Sequence, residues 1–323
     1  MRSNLVKTAI VLDDSADGRA EAARLLRSGG LVGFATETVY GLGADATSSN
    51  AVARIYAAKG RPAFNPLIAH VFDAEDARRE GVFDELAIAL AKAFWPGPLT
   101  LVLPAAPDGS VCELARAGLA TVALRVPLHP SARALLAAVG RPVAAPSANR
   151  SGRLSPVTAA DVLDDVGDAI DAVLDGGPAT VGVESTIVAC LGGAPVVLRP
   201  GGITTADICR VVGPLDRREG DAVTAPGQLA SHYAPRSSLR LDALALEEGE
   251  AGLDFGARFG GRVLDLSSMA DPTEAAANLY AFLRRLDAAN PRRIAVAPIP
   301  AAGLGEAIND RLRRAAAPRG QVR

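Results

Sequence analysis

Aromatic side chains make up only 4% of this 323-residue chain, with a single tryptophan, so any core has to be built from Ala, Val and Leu. Aliphatic strands of that kind suit an α/β protein. Cysteine is scarce as well. Cys112, Cys190 and Cys209 are widely spaced, which excludes a disulfide scaffold and a zinc-ligand pattern and points to a reducing cytoplasm. The net charge of −2 leaves no global basic footprint for non-specific nucleic-acid binding, although a local basic cleft stays open. No apolar run approaches the roughly 20 residues of a membrane helix, and residues 1–14, one short apolar run followed by acids, lack the form of a signal peptide. Gly-x-Ser-x-Gly and Gly-x-x-x-x-Gly-Lys-Ser/Thr are both missing, so neither a serine-hydrolase elbow nor a P-loop is expected.

What is present alternates between strand and helix signals. Residues 20–27 have helical spacing and stop at Gly29-Gly30. Residues 31–35 read as a buried strand, and Ser48, Ser49 or Asn50 can cap a helix that buries Val52, Ile55 and Tyr56 and ends at Lys59-Gly60. Strands follow at 67–72 and 99–103, with a helix over 83–95 between them that Pro96-Gly97-Pro98 breaks. Further strands are expected at 119–126, 142–145, 185–190 and 195–199, and Thr158-Ala-Ala-Asp161 has the form of a capping box. Several strands adjoin hairpin connections, which predicts a mixed sheet. There is no internal repeat. Length and pattern suggest one large domain over 1–212, a linker without periodicity over 213–237, and a small parallel α/β domain over 238–323 with a β-α-β-α pattern. Within the last, 247–259 is weakly patterned and leaves the strand count open.

Lys59-Gly60-Arg61-Pro62 places two cations around a glycine at a helix C-terminus, where the helix dipole favours them anyway. Pro62 and Pro66 stiffen the loop that follows, with Asn65 between them, as a loop presenting several groups to one ligand requires. Thr121, Ala123 and Arg125 share one face of a strand, which suits either a cavity floor for an anion or an ordinary solvent-facing strand. Folding 185–190 and 195–199 about the loop 191–194 sets Ser185 and Thr186 opposite Arg199 and Pro200. His70 in an apolar strand reads more simply as structural. Gly41-Leu-Gly43-Ala-Asp-Ala46 fits the dinucleotide fingerprint, but Glu37 and Thr38 interrupt the strand that should precede it. Lys59 and Arg61 stand where a ribose-binding acid belongs.

Taken together and in order, Thr36-Glu37-Thr38-Val39-Tyr40-Gly41, Lys59-Gly60-Arg61-Pro62, Ser147-Ala148-Asn149 and Gly182-Val183-Glu184-Ser185-Thr186 resemble the YrdC-like threonylcarbamoyl-AMP synthases. Pro226-Gly227-Gln228 through His232-Tyr233-Ala234-Pro235 resembles the linker of their long, two-domain form. The resemblance implies a twisted mixed sheet with helices around an open cavity, plus a small Rossmann-like domain. It implies a nucleotidyltransferase that turns L-threonine, bicarbonate and ATP into L-threonylcarbamoyl-adenylate and pyrophosphate, the activated intermediate for t6A at position 37 of tRNAs reading ANN codons. Thr38, His70, Arg125, Ser185 and the backbone near Ala145 would hold threonine. Lys59, Arg61, Asn65, Thr121, Ser147, Asn149, Ser155 and Arg199 would hold ATP, with His232 and Tyr233 closing over it. Of these, Lys59, Arg61, Ser147 and Asn149 would carry the catalysis. Mg²⁺ would arrive on the ATP phosphates with no protein cage, and the product would pass to a tRNA threonylcarbamoyltransferase complex, with tRNA contact an open question. A carbamoyl-transferring relative, a shape-reading RNA-binding module and a scaffold protein are the competing classes.

Overall fold

Short apolar runs closed by polar N-caps account for most of the elements. The computed structural model describes residues 8–216, 232–260 and 263–318. Its first half comprises β1 (Ile10–Asp13), α1 (Ala16–Arg27), β2 (Val32–Phe34), β3 (Gly41–Asp45), α2 (Ser49–Lys59), β4 (Ile68–His70), α3 (Ala74–Glu80), α4 (Glu85–Phe94), β5 (Leu99–Pro104), β6 (Thr121–Arg125), α5 (Pro130–Val139) and β7 (Val143–Ala144). Then come α6 (Ala159–Val166), β8 (Ala172–Asp175), β9 (Thr186–Ala189), β10 (Val196–Arg199) and α7 (Thr205–Val212). The last unit holds β11 (Leu239–Arg240), β12 (Glu250–Asp254), β13 (Val263–Asp265), α8 (Pro272–Ala288), β14 (Arg293–Val296) and α9 (Gly305–Ala316). Ser48 caps α2 through the Ala51 amide, and the capping box of α6 is complete, with Thr158 and Asp161 each accepting the other's backbone N–H.

Ten strands form one mixed sheet in the order β1-β8-β2-β3-β7-β4-β6-β5-β9-β10. The glycines of β3 make it a strand and not a dinucleotide turn. A Cβ on Gly43 would lie 2.9 Å from the Phe34 ring, so the pair β2–β3 closes only because that side chain is missing. Helices α1 and α5 pack together on one face through Ala22, Leu26, Leu135 and Leu136, over Phe34 and Leu174.

The hairpin β9–β10 differs from the simple fold-back. Val196 and Val197 pair with Ala189 and Val188, but Arg199 then pairs with Ile187 because Leu198 is an extra residue in the ladder. A bulge of this kind shifts register by one and re-aims the side chains beyond it.

The second sheet is four-stranded, wholly parallel and ordered β11-β14-β12-β13. The weakly patterned stretch 247–259 contains β12, one of its two inner strands. Of the expected strand over 261–266, residues 263–265 form β13, and 261–262 lie outside the described residues. So do 217–231, the greater part of the linker.

The two units share a core, to which the first contributes loop residues. Val39, Leu154, Val157, Ala179 and Val183 from the first unit pack with Tyr233, Leu279, Tyr280 and Ile308 from beyond it. Arg284 of α8 reaches the Leu154 carbonyl at 2.6 Å and the Asp165 carboxylate at 3.2 Å. Thr205 of α7 donates to Glu306 of α9 at 2.7 Å.

Candidate active site

One hollow gathers side chains from eight separate stretches of the chain. Its lining includes Thr36, Thr38, Arg61, His70, Arg125, Ala145, Ser147, Glu184, Ser185, Arg199, His232 and Tyr233, and it encloses roughly 510 Å³ counting its mouth. The loop after β7 forms one wall. Ser147 bridges to Gly41 and the Ala148 amide donates to the Tyr40 carbonyl at 2.8 Å, so this loop is held against the start of β3.

Helix α2 supplies the adjoining wall. Gly60 ends it in the left-handed conformation at φ 59°, and the reversal turns Lys59 and Arg61 to different tasks. Lys59 Nζ donates to the carbonyls of Ser147, at 2.6 Å, and Asn149, while its own carbonyl accepts the Ser151 amide. It is buried, and burial together with the Arg61 charge holds its pKa well below the usual lysine range. Arg61 lines the hollow with Nε 3.2 Å from the Asn65 carbonyl and Nη2 2.9 Å from that of Pro66. Burial pushes its pKa down to about 10, so the guanidinium remains charged near neutrality.

The opposite wall carries the threonine candidates. Arg125 donates from Nη2 to Glu37 at 2.6 Å and from Nε to the Gly97 carbonyl at 3.4 Å, using two of the five N–H donors of a guanidinium. Glu37 also accepts the Leu128 and His129 amides, at 3.0 and 3.3 Å. Burial opposes ionisation of this carboxyl, but Arg125 and the amides more than offset it and its pKa is lowered. His70 beside Arg125 is pushed to about 3, by burial first and the Arg125 charge second, so it is neutral at physiological pH. Its Nδ1 has no hydrogen-bond partner among the described residues. Ser185 Oγ lies 2.8 Å from Thr100 Oγ1 and accepts Arg199 Nη2 at 3.2 Å, and its carbonyl accepts the same nitrogen at 2.7 Å.

Thr38, His70, Arg125, Ala145, Ser185, Arg61, Ser147, Arg199, His232 and Tyr233 therefore meet in the hollow. Five expected ligands of ATP lie outside its lining. Lys59 and Asn149 are buried behind the 147–149 loop, where Asn149 Nδ2 donates to the Arg150 and Arg153 carbonyls at 2.8 and 2.9 Å. Asn65 is buried, and neither of its side-chain polar atoms has a partner among the described residues. Ser155 donates to Glu184 at 2.5 Å. Thr121 stands at the far end of β6, beside Pro104, about 13 Å of strand from Arg125. Between them Ala123 joins an apolar cluster with Ile68, Val102 and Ile187, so this strand face contributes a cavity wall only at its Arg125 end.

Sequence reasoning passed over Glu37, Glu184, Tyr280 and Arg311. Both acids stand inside the quoted motifs, and a carboxylate beside hydroxyl residues near a strand end was the available signal. Glu184 accepts from Ser155, from Tyr280 at 3.0 and 3.1 Å, and from Arg311 Nε at 2.7 Å. Burial alone would raise its pKa, yet the Arg311 and Arg199 charges and the Ser155 hydroxyl hold it at about 2. A carboxylate so firmly ionised and so fully bonded is a fixed negative charge and not a base. As the one carboxylate lining the hollow among the described residues, it leaves no free oxygen pair for a protein-bound cation.

The Sua5/YciO/YrdC family model, described as "Telomere recombination", matches residues 24–201, and one described as "Threonylcarbamoyl-AMP synthase, C-terminal domain" matches residues 203–317. The chain is 42% identical over 320 residues to a threonylcarbamoyl-AMP synthase of Bacillus subtilis, covering 92% of each chain. It is 40% identical over 319 residues to one of Pyrococcus abyssi, covering 91% of this chain and 92% of that one. Among solved structures it resembles P. abyssi Sua5 complexed with L-threonine, with a TM-score of 0.88, 37% identity, and 95% and 97% of the two chains covered.

Proposed function

The chain belongs to the threonylcarbamoyl-AMP synthase family in its long two-domain form, and from that membership we propose how its hollow joins L-threonine, bicarbonate and ATP. The chain is a nucleotidyltransferase that makes L-threonylcarbamoyl-adenylate for t6A modification of tRNAs reading ANN codons. The threonine amine and bicarbonate condense to a carbamate, whose oxygen attacks the α-phosphate of ATP in line as pyrophosphate departs. Chemistry of this kind asks a protein for positioning and for cations against phosphate charge more than for a nucleophile. The observation that carries the reading is the meeting of Arg61, Arg125, Arg199, Ser147 and Ser185, from distant segments, in one hollow.

Arg125 pairs with the threonine carboxylate through the N–H groups that Glu37 and Gly97 leave over, with Thr38, neutral His70, Ser185 and the Ala145 backbone around the amino acid. Arg61, Arg199 and Ser147 face the phosphates. Lys59 and Asn149 serve them from behind by fixing the 147–149 loop, and Asn65 and Ser155 stand as a buried layer around the nucleotide. Thr121 has the weakest geometric support of the set. His232 and Tyr233 wall the nucleotide from water, which protects a hydrolysable adenylate. The donor set suits Mg²⁺ carried in on the ATP phosphates, since Glu184 is committed to Ser155, Tyr280 and Arg311. No helix among the described residues is long and apolar enough to cross a membrane. A cytoplasmic enzyme handing its product to a tRNA threonylcarbamoyltransferase complex accords with that. The test is pyrophosphate release from ATP, which should require threonine and bicarbonate together. Release that needs neither would overturn the assignment.

A further inference from the structure

The acidic wall of the hollow is held in place from the second sheet's side of the molecule. The loop that carries Glu184 passes Gly182, at φ 76°, where a Cβ would lie 2.1 Å from the Ala276 carbonyl of α8. Helix backbone thus rests directly on the loop. Among the described residues, two of the three that donate to the Glu184 carboxylate belong to this second unit, Tyr280 on α8 and Arg311 on α9. Arg311 is 1% exposed, and besides Glu184 its guanidinium donates to the Pro200 carbonyl at 2.9 Å and to Asp310 at 2.5 Å. Its Cζ also lies 5.0 Å from the centre of the Tyr233 ring.

Tyr233 itself adopts φ 60°, a conformation a bulky side chain keeps only when its surroundings insist. Those surroundings are again α9 and the nucleotide side. The His232 amide donates to the Arg314 carbonyl at 3.3 Å, and the Ala234 amide to the Gly152 carbonyl at 2.8 Å. Joining two domains does not call for a buried guanidinium, since the Thr205–Glu306 contact does so with less desolvation. One fork touching Glu184, Tyr233 and the residue after Arg199 is an arrangement for holding walls at a set distance.

We propose that Arg311, from the second domain, is a positioning residue for the reaction. It fixes the Glu184 and Tyr233 walls of the hollow relative to each other, so the α8–α9 unit completes the active site. This rests on reading the hollow as the threonylcarbamoyl-AMP site. Loosened walls admit water to the mixed anhydride. Hydrolysis there breaks the bond between phosphorus and the carbamate oxygen, giving AMP and N-carboxythreonine, which decomposes to threonine and bicarbonate. The signature of a lost positioning residue is therefore ATP consumed without adenylate recovered.

The full-length chain is assayed with Mg-ATP, threonine and bicarbonate, and AMP and threonylcarbamoyl-adenylate are quantified against pyrophosphate. In Arg311→Met the ratio of AMP to adenylate should rise about tenfold, equivalent to about 1.4 kcal/mol. Arg311→Lys should recover part of it, and Glu306→Gln, which alters the domain contact away from the hollow, should match wild type. An unchanged ratio in Arg311→Met overturns the proposal, however slow the variant is. Should Arg311→Met not fold, Tyr280→Phe decides. It removes one hydroxyl from Glu184, and a wild-type ratio there is equally fatal. Failure of the underlying reading would show differently, as wild-type pyrophosphate release that ignores threonine.

Discussion

Lys59 and Arg61 stand two residues apart, yet the structure gives them different work. Gly60 reverses the chain between them, so the lysine turns inward to the Ser147 and Asn149 carbonyls and the arginine turns to the hollow. Arg61→Ala should therefore lower kcat/KM for ATP at least about tenfold, or ~1.4 kcal/mol of transition-state stabilisation, with little change in thermal stability. Pyrophosphate release at varied ATP, alongside a melting curve, checks both halves, and wild-type kcat/KM would remove Arg61 from the site. The cations and hydroxyls that line the hollow were legible as sequence, in order along the chain, whereas the amides expected with them lie outside its lining. Which of two neighbouring cations lines the hollow was not, because one left-handed glycine decides it. Arg125 shows the same limit. Its face on β6 is evident from alternation, but its Glu37 partner comes from 88 residues away.

Among the elements, those with a strong period or a cap were legible and those without were not. The helices over α2, α4 and α6 follow from spacing and from Ser48 and Thr158, and β5, β6 and β9 follow from aliphatic runs. Strand β3 hides behind two glycines that exist to admit Phe34, and β1 is an edge strand with Ile10 and Val11 exposed. The bulge at Leu198 leaves no mark in the sequence at all. Gly182 is the most consequential element contact that pattern cannot reveal. Gly182→Ala adds a methyl 2.1 Å from the Ala276 carbonyl at a left-handed φ. Helix α8 would have to move, at about 2–4 kcal/mol from overpacking and backbone strain together. A urea titration should show the unfolding free energy falling by that amount and the midpoint falling with it, and an unchanged midpoint would mean that α8 does not sit against this loop.

At the scale of the whole molecule, the response to mild acid rests on three histidines. His70 lies between sheet strands and His232 between the two domains, and both are pushed to about 3, chiefly by burial. For His232 the Arg61 charge is the next cause, so protonation would place a cation against another cation in the shared core. Unfolded histidine takes its proton near 6.5. The folded pKa lies below that value, so the unfolded chain binds more protons in between. The stability these histidines contribute is thus fully present above about 6.5 and lost as pH falls from there toward 3. Glu184, held at about 2 against its ordinary 4.5, adds its own loss only below about 4.5, leaving the interval above that to the histidines. Between pH 7 and pH 5 the unfolding free energy should fall by up to about 2 kcal/mol for each of the two. Replacing either with Gln, which does not titrate, should cut the slope by up to half, the remainder coming from the other and from His129, whose pKa burial also lowers. Equal urea midpoints at pH 7 and pH 5 in the wild-type chain would show that these side chains take up protons without unfolding. The closed contact between the domains at His232 would then have to open in mild acid on its own.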